Sequence, residues 1–200
     1  MPRPSVEAER RPQILAAACA VIASAGIPAL RLSDVAKEAG VSSGTVHYYF
    51  ESKREVIAAA FEFNLADSLA RRQELLASGK DSLAILHDLV ESYLPNDELS
   101  VRAWKVWLAL WAEGSRDPVL QEINERLYGQ WRDVVAGVLT SAQDEGLTRE
   151  GDPLVQANTL IGLLDGLAVQ VVLQSPSMPL DLMRSICDDF IDDSLTLASV

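Results

Sequence analysis

The chain has 200 residues, 48% of them apolar and 23% charged, an ordinary globular mixture that excludes a disordered chain. A chain of this length buries roughly 70% of the surface its unfolded form exposes, so it needs neither a disulfide nor a metal to fold. With 17 Lys and Arg against 29 Asp and Glu, the net charge of −12, taken over the whole chain, argues against a partner built of phosphates.

Cys19 and Cys187 each sit in an apolar helical pattern with no CxxC and no His at ligand spacing, so no disulfide framework, metal or cofactor is expected. Residues 1–9 carry no apolar signal region. The apolar stretch from Leu154 to Leu173 is interrupted by Gln156, Asn158, Asp165 and Gln170, so neither a signal peptide nor a membrane span is expected and the location reads as cytoplasmic.

Apolar residues recur at three and four rather than at two throughout, which predicts an all-α chain. The first helix is expected over about Arg10 to Ala25, with Pro12 in its first turn, an inward stripe of Ile14, Ala18, Ile22 and Ala25, and a stop at Gly26. Ser33 reads as the cap of a short helix ending at Gly40, and Ser42 as the cap of a second, running from Ser43 to about Phe50. Val46 and Phe50 then face inward with Ala36, Ala39 and Val41, and the pair makes a helix-turn-helix. Ser52-Lys-Arg-Glu55 is a capping box opening a long helix to about Ala77. Further helices are expected near 81–94, 98–114, 118–145, 153–174 and 179–197, two of them opened by Asp117-Pro118 and Asp152-Pro153.

Charge divides the chain at the capping box. Residues 1–54 hold seven basic side chains (Arg3, Arg10, Arg11, Arg31, Lys37, Lys53, Arg54) against five acidic ones, a balance of +2. The remaining 10 basic and 24 acidic residues give −14 to residues 55–200. A mildly basic helix-turn-helix unit on an acidic helical body is the layout of a DNA reader with a separate regulatory part.

A helix-turn-helix lays its second helix in the major groove, small residues at the tip and polar groups outward. Here the tip is Ser43-Gly44-Thr45, and with Val46 and Phe50 turned inward, His47 and Tyr48 point away from the core; Tyr49 reads as half core. Exposed rings bearing hydroxyl and imidazole donors suit phosphate and base-edge contacts.

The run Leu32-Ser-Asp-Val-Ala-Lys-Glu-Ala-Gly-Val-Ser-Ser-Gly-Thr-Val-His-Tyr-Tyr-Phe-Glu-Ser-Lys53 closely resembles the DNA-binding domain of tetracycline-repressor (TetR) family regulators, a likeness covering about residues 10–56. Ser43 stands where the family commonly has a longer polar or basic side chain, and His47 where Tyr is usual. The resemblance implies an all-α, nine-helix, two-domain architecture: a three-helix DNA-binding domain at 1–54 and a helical ligand-binding and dimerisation domain at 55–200. It also implies a homodimeric, ligand-responsive transcription factor, usually a repressor, on double-stranded DNA with a palindromic operator. The DNA-facing residues it implies are Arg31, Ser33, Ser42, Ser43, Gly44, Thr45, His47, Tyr48 and Tyr49, with Lys53 on a phosphate. The remainder resembles the regulatory domain of the BetI-like branch, through the Trp-rich sixth helix and the Asn124-to-Trp131 region.

Trp104, Trp107 and Trp111 fall on one helix face, and Tyr128 and Trp131 on the next helix. Such stripes are usual packing, yet pockets between helices are lined the same way. With Glu113, Asp165 or Tyr93 nearby, these rings suit an organic cation, at ~0.5–2 kcal/mol per ring, and a cationic amine is the expected effector class. The helix near 153–174 is apolar nearly all round and must be covered on two sides. Leu160, Leu164, Leu167 and Val171, with Met183, Ile186, Cys187 and Phe190 of the last helix, are therefore expected in a two-fold interface of ~2,000 Å² or more. Asp188, Asp189, Asp192 and Asp193 read as a solvated face rather than a metal cluster.

Two rivals remain open at this point. Gly40-Val-Ser-Ser-Gly44 matches the G-x-S-x-G of hydrolases with Ser42 as nucleophile, but that motif works on a turn after a strand and here follows a helix. The other rival is a dimeric helical ligand-binding protein without DNA binding.

Overall fold

The computed structural model describes residues 6–196, with side chains from residue 9 onward. Arg3 and the expected continuation of the last helix to 197 lie outside the described residues. The fold is all-α: nine α-helices and a closing π-helical turn among the described residues, with one isolated antiparallel bridge between Thr148 and Thr196 in place of any strand. Two compact units are present, one formed by residues up to Ser68 with Arg102–Glu125, the other by Leu69–Val101 with the chain from Arg126.

In the first unit, α1 (Val6–Ala29) starts earlier than the apolar periodicity suggests, so Pro12 lies inside it rather than in its first turn. Gly26 does break the helix (φ +76°, ψ 169°), a conformation that costs glycine little, and one further turn follows it. Ile14, Ala18 and Ile22 are buried as the stripe requires, whereas Ala25 is exposed; the next buried apolar side chain is Ile27, past the kink.

α2 (Leu32–Glu38) packs on α1 and on α3 (Ser43–Tyr49). Arg31, not Ser33, occupies the N-cap of α2, without a side-chain cap bond; Ser33 lies one residue inside the helix, where its hydroxyl cannot cap it. Gly40 turns the chain at φ +63°, and Ser42 caps α3 by accepting the Thr45 N–H at 3.0 Å. Val35, Ala36, Ala39, Val46 and Phe50 form the buried seam and Val41 is half-buried. α4 (Lys53–Leu76) opens with the expected box: the Ser52 hydroxyl accepts from Glu55 N (3.1 Å), and the Glu55 carboxylate reaches back to Glu51 N (2.7 Å).

The other helices are α5 (Ser82–Tyr93), α6 (Glu98–Gly114), α7 (Pro118–Asp144), α8 (Pro153–Val172) and α9 (Leu180–Phe190), the π-turn spanning Ile191–Leu195. Asp81, Asp117 and Asp152 carboxylates accept backbone N–H groups at the starts of α5, α7 and α8. In the second unit α9 packs on α8 and α5, and Leu160, Ile161, Leu164, Met183, Cys187 and Ile191 fill the space between.

Candidate nucleic-acid interface and ligand site

The outward face of the helix-turn-helix is assembled by local capping and by one apolar seam. Because Val46 and Phe50 are drawn inward, Arg31, Ser33, Ser42, Ser43, Gly44, His47 and Tyr48 are left exposed, and Tyr48 shows 74% of its surface. Tyr49 is half-buried and meets the Tyr48 ring edge-on, centroids 5.1 Å apart. Thr45 is half-buried, its hydroxyl 2.8 Å from that of Ser42. Lys53, expected on a phosphate, is half-buried and donates to the Pro28 carbonyl at 3.1 Å, so it anchors the start of α4 to the end of α1. The next residue, Arg54, donates to both oxygens of Asp117 (2.8 and 3.2 Å), tying the first turn of α4 to the residue that caps α7.

The eight expected ligand residues fall into two groups, each within one unit. In the first unit the Trp111 ring lies 6.2 Å from Trp104 and 6.3 Å from Trp107, and its indole N–H donates to Asn124 Oδ1 at 3.0 Å. A cavity of about 410 Å³ is lined by Leu110, Trp111, Gly114, Ser115, Gln121, Asn124 and Glu125. Of the predicted residues only Trp111 lines it. Trp104 is buried packing, and Trp107 and Glu113 are half-buried outside the lining.

In the second unit the other four converge. Tyr93 OH donates to Asp165 Oδ1 at 2.7 Å, Tyr128 OH donates to Asp165 Oδ2, and the Tyr93 and Trp131 rings stack 5.3 Å apart within 4° of parallel. Burial pushes the Asp165 carboxyl above the usual carboxylate range, against the downward pull of the Tyr128 and Tyr93 hydroxyls. Burial also raises both phenols, and the Asp165 charge adds to the rise. Trp131 is 4% exposed, and its indole N–H has no acceptor among the described residues. A desolvated donor left so costs roughly 1–3 kcal/mol.

Sequence reasoning missed Arg72. It is only 6% exposed, and its guanidinium carbon lies 4.8 Å from the Trp131 ring centroid and 5.6 Å from that of Tyr93. Nε donates to the Ser92 hydroxyl (2.7 Å) and Nη2 to the Ser92 carbonyl (3.0 Å). A signal did exist: Phe61, Leu65, Ser68 and Arg72 are spaced 4, 3 and 4 apart, and all four are buried.

Two family models match the chain: "Bacterial regulatory proteins, tetR family" over residues 14–60 and "BetI-type transcriptional repressor, C-terminal" over residues 83–196. The chain belongs to the tetracycline-repressor family. It is a BetI-type member, a ligand-responsive DNA-binding transcriptional regulator and not an enzyme. Similar proteins include the HTH-type transcriptional regulator BetI of Proteus mirabilis, 29% identical over 98% of this chain and 97% of that protein. A protein described as a transcriptional regulator of Saccharomonospora viridis, solved in complex with choline, is 31% identical with a TM-score of 0.86, over 96% of this chain and 99% of that one. A protein described as a TetR-family regulator of Rhodococcus sp. is 28% identical with a TM-score of 0.85, over 94% and 99%.

In this regulator the Ser42 hydroxyl serves as a helix cap at a helix-to-helix turn, the reverse of a nucleophile raised on a strand. The residues expected at a dimer interface are placed differently from the expectation. Leu160, Leu164, Met183 and Cys187 are each at most 1% exposed, and Leu167 is also buried, so their own unit covers them and they have no surface to offer a second copy. Val171, Ile186 and Phe190 are half-buried. The outward face of α8 is instead Val155, Thr159, Gly162, Gly166 and Gln170, continued by Leu173, all exposed. By length and composition alone α8 and Glu9–Ala29 are apolar enough to cross a membrane, as buried core helices also are. The C-terminal acidic run is not simply solvated: Asp188 lies 2.9 Å from Nδ1 of His87 and Asp192 3.2 Å from Nε2, which links α9 and the π-turn to α5. No metal-ligand cluster occurs among the described residues.

Proposed function

We propose that this regulator is a homodimeric repressor whose helix-turn-helix domain, residues 1–54, reads a palindromic operator and is released when a small cationic amine binds the body, residues 55–200. The observation that carries the reading is the pairing of an outward polar and aromatic face on α3 with a half-buried carboxylate, Asp165, held by Tyr93 and Tyr128 with Trp131 stacked on Tyr93. Arg31, Ser33, Ser42, Ser43, Gly44, Thr45, His47, Tyr48 and Tyr49 face the groove, and Lys53 trades its bond to Pro28 for a phosphate. The choline held by the Saccharomonospora viridis protein supports a cationic effector. Rings and a carboxylate are the groups that recognise one.

Two copies meet through the outward face of α8 and the half-buried Val171, Ile186 and Phe190, and to enter successive major grooves their recognition helices must stand about 34–36 Å apart, one turn of DNA. α4 is continuous from Lys53 to Leu76, so one helix carries both the reading head's anchor and Arg72. A ligand acts by binding better to the state in which the recognition helices no longer match the grooves. The protein works in the cytoplasm, where its DNA is. The test is electrophoretic retardation of the DNA flanking its own gene, with salt varied and an organic cation added. Retardation that weakens steeply with salt and is reversed by the cation is expected; no retardation of any candidate operator refutes the reading.

A further inference from the structure

The aromatic faces that would receive an effector's charge already face a cation. Arg72 projects from α4 with its guanidinium 4.8 Å from the Trp131 centroid and 5.6 Å from the Tyr93 centroid, and Tyr93 is the ring whose hydroxyl holds Asp165. Ser92 holds it there with two hydrogen bonds, one to the side chain and one to the backbone carbonyl. Burial pulls Arg72 down to about 10, so it stays charged at neutral pH in surroundings that disfavour the charge. The same side chain also borders a cavity of about 200 Å³ that Ser92, Asn96 and Asp97 help to line. The guanidinium therefore has a second place to go, with a carboxylate on its wall.

We propose that Arg72 is an internal occupant of the cation site and a specificity-determining residue: an effector cation binds Trp131 and Tyr93 only by displacing the guanidinium toward the Asp97 side. The proposal rests on the reading of the Asp165 cluster as the effector site. It makes apparent affinity the product of intrinsic affinity and the fraction of molecules in which Arg72 has left the rings. A bare charge therefore binds weakly, and an effector amine must add contacts enough to replace those of Arg72. Arg132 lies over Tyr128 at 5.5 Å, a different ring from the two that Arg72 meets.

The test is calorimetric titration of the full-length protein with tetramethylammonium chloride at fixed ionic strength. Arg72→Met keeps the apolar stem and removes the charge; it is expected to bind tetramethylammonium at least tenfold more tightly than the natural protein, while Arg72→Lys, which retains a cation, stays within about threefold of it. Arg72→Gln keeps a polar partner for Ser92 and carries the same expectation as Arg72→Met, so the proposal stays testable if the methionine variant fails to fold. If the natural protein binds tetramethylammonium and the neutral variants bind no more tightly, Arg72 is not an internal competitor, although the effector reading survives. If neither the natural protein nor a folded neutral variant binds the cation, the effector reading falls and the proposal with it.

Discussion

Replacing Gly162 with leucine tests whether two copies meet on the outward face of α8. Gly162 lies in mid-helix without a positive φ, and a Cβ added there meets nothing within 4 Å in its own chain. Within the monomer the change should stabilise the helix by up to about 0.8 kcal/mol, the difference in helix propensity, and raise the melting temperature by roughly 2–3 °C. In a two-fold dimer packed on this face the substitution enters the interface twice. Forcing an extra side chain into a packed contact costs about 1–3 kcal/mol, so the pair should cost about 2–6 kcal/mol. At 1.4 kcal/mol per factor of ten, the dimer dissociation constant should rise roughly 30-fold to 10⁴-fold. Sedimentation equilibrium reads the constant, and circular dichroism confirms that the helices persist. An unchanged dimer with a raised melting temperature would show that this face looks into solvent, and the argument from exposure would be wrong.

Four further outcomes follow from the structure. Asp165→Asn should weaken binding of an organic cation by about a hundredfold, as expected of losing a charge about 6 Å away at an effective dielectric near 20. In titration calorimetry, unchanged affinity would remove the carboxylate from the site. Because the Asp165 carboxyl is raised in the folded protein, the native state holds its proton above the ordinary carboxyl range. The natural protein should therefore lose stability as pH rises through that range to the folded value, and denaturant midpoints of Asp165→Asn should not show that loss. Ser42→Ala removes the α3 cap and should cost about 1 kcal/mol, read as a fall of roughly 2–4 °C in melting temperature; an unmoved melt would deny the cap its role. Lys53→Ala should lower the magnitude of the logarithmic salt slope of operator binding by about 1, and an unaltered slope would leave Lys53 as an anchor to Pro28 alone.

The parts legible in the sequence are those decided within a few residues. Ser42 capping Thr45, the Ser52–Glu55 box, the break at Gly26 and the inward turn of Val46 and Phe50 are all local choices, and each is borne out. Ser33 failed as a cap because the helix starts earlier, at Leu32, with Arg31 in extended backbone (φ −121°, ψ 143°) at the N-cap position. The convergence of Tyr93 and Tyr128 on Asp165 brings together three helices, and only the residue types hinted at it. Arg72 was hidden for a different reason: beside Arg71 in a polar stretch it reads as solvated, although its spacing from Leu65 and Ser68 placed it on the buried stripe. For α8, periodicity said that two sides needed cover. Which side its own unit covers depends on α9, so Leu160, Leu164 and Leu167 turned out to face inward and Gly162 and Gly166 outward.

The two thiols each lie in a different unit, Cys19 beneath α4 with its S–H directed at the Ala60 carbonyl (3.4 Å) and Cys187 in the α9 seam. Burial pushes Cys19 up to about 12 and Cys187 up to about 11. At neutral pH burial thus holds both as thiols rather than as the thiolate, the form that reacts with oxidants and alkylating reagents. Each unit therefore carries its own clock: the rate at which a maleimide labels Cys19 or Cys187 times the opening of that unit.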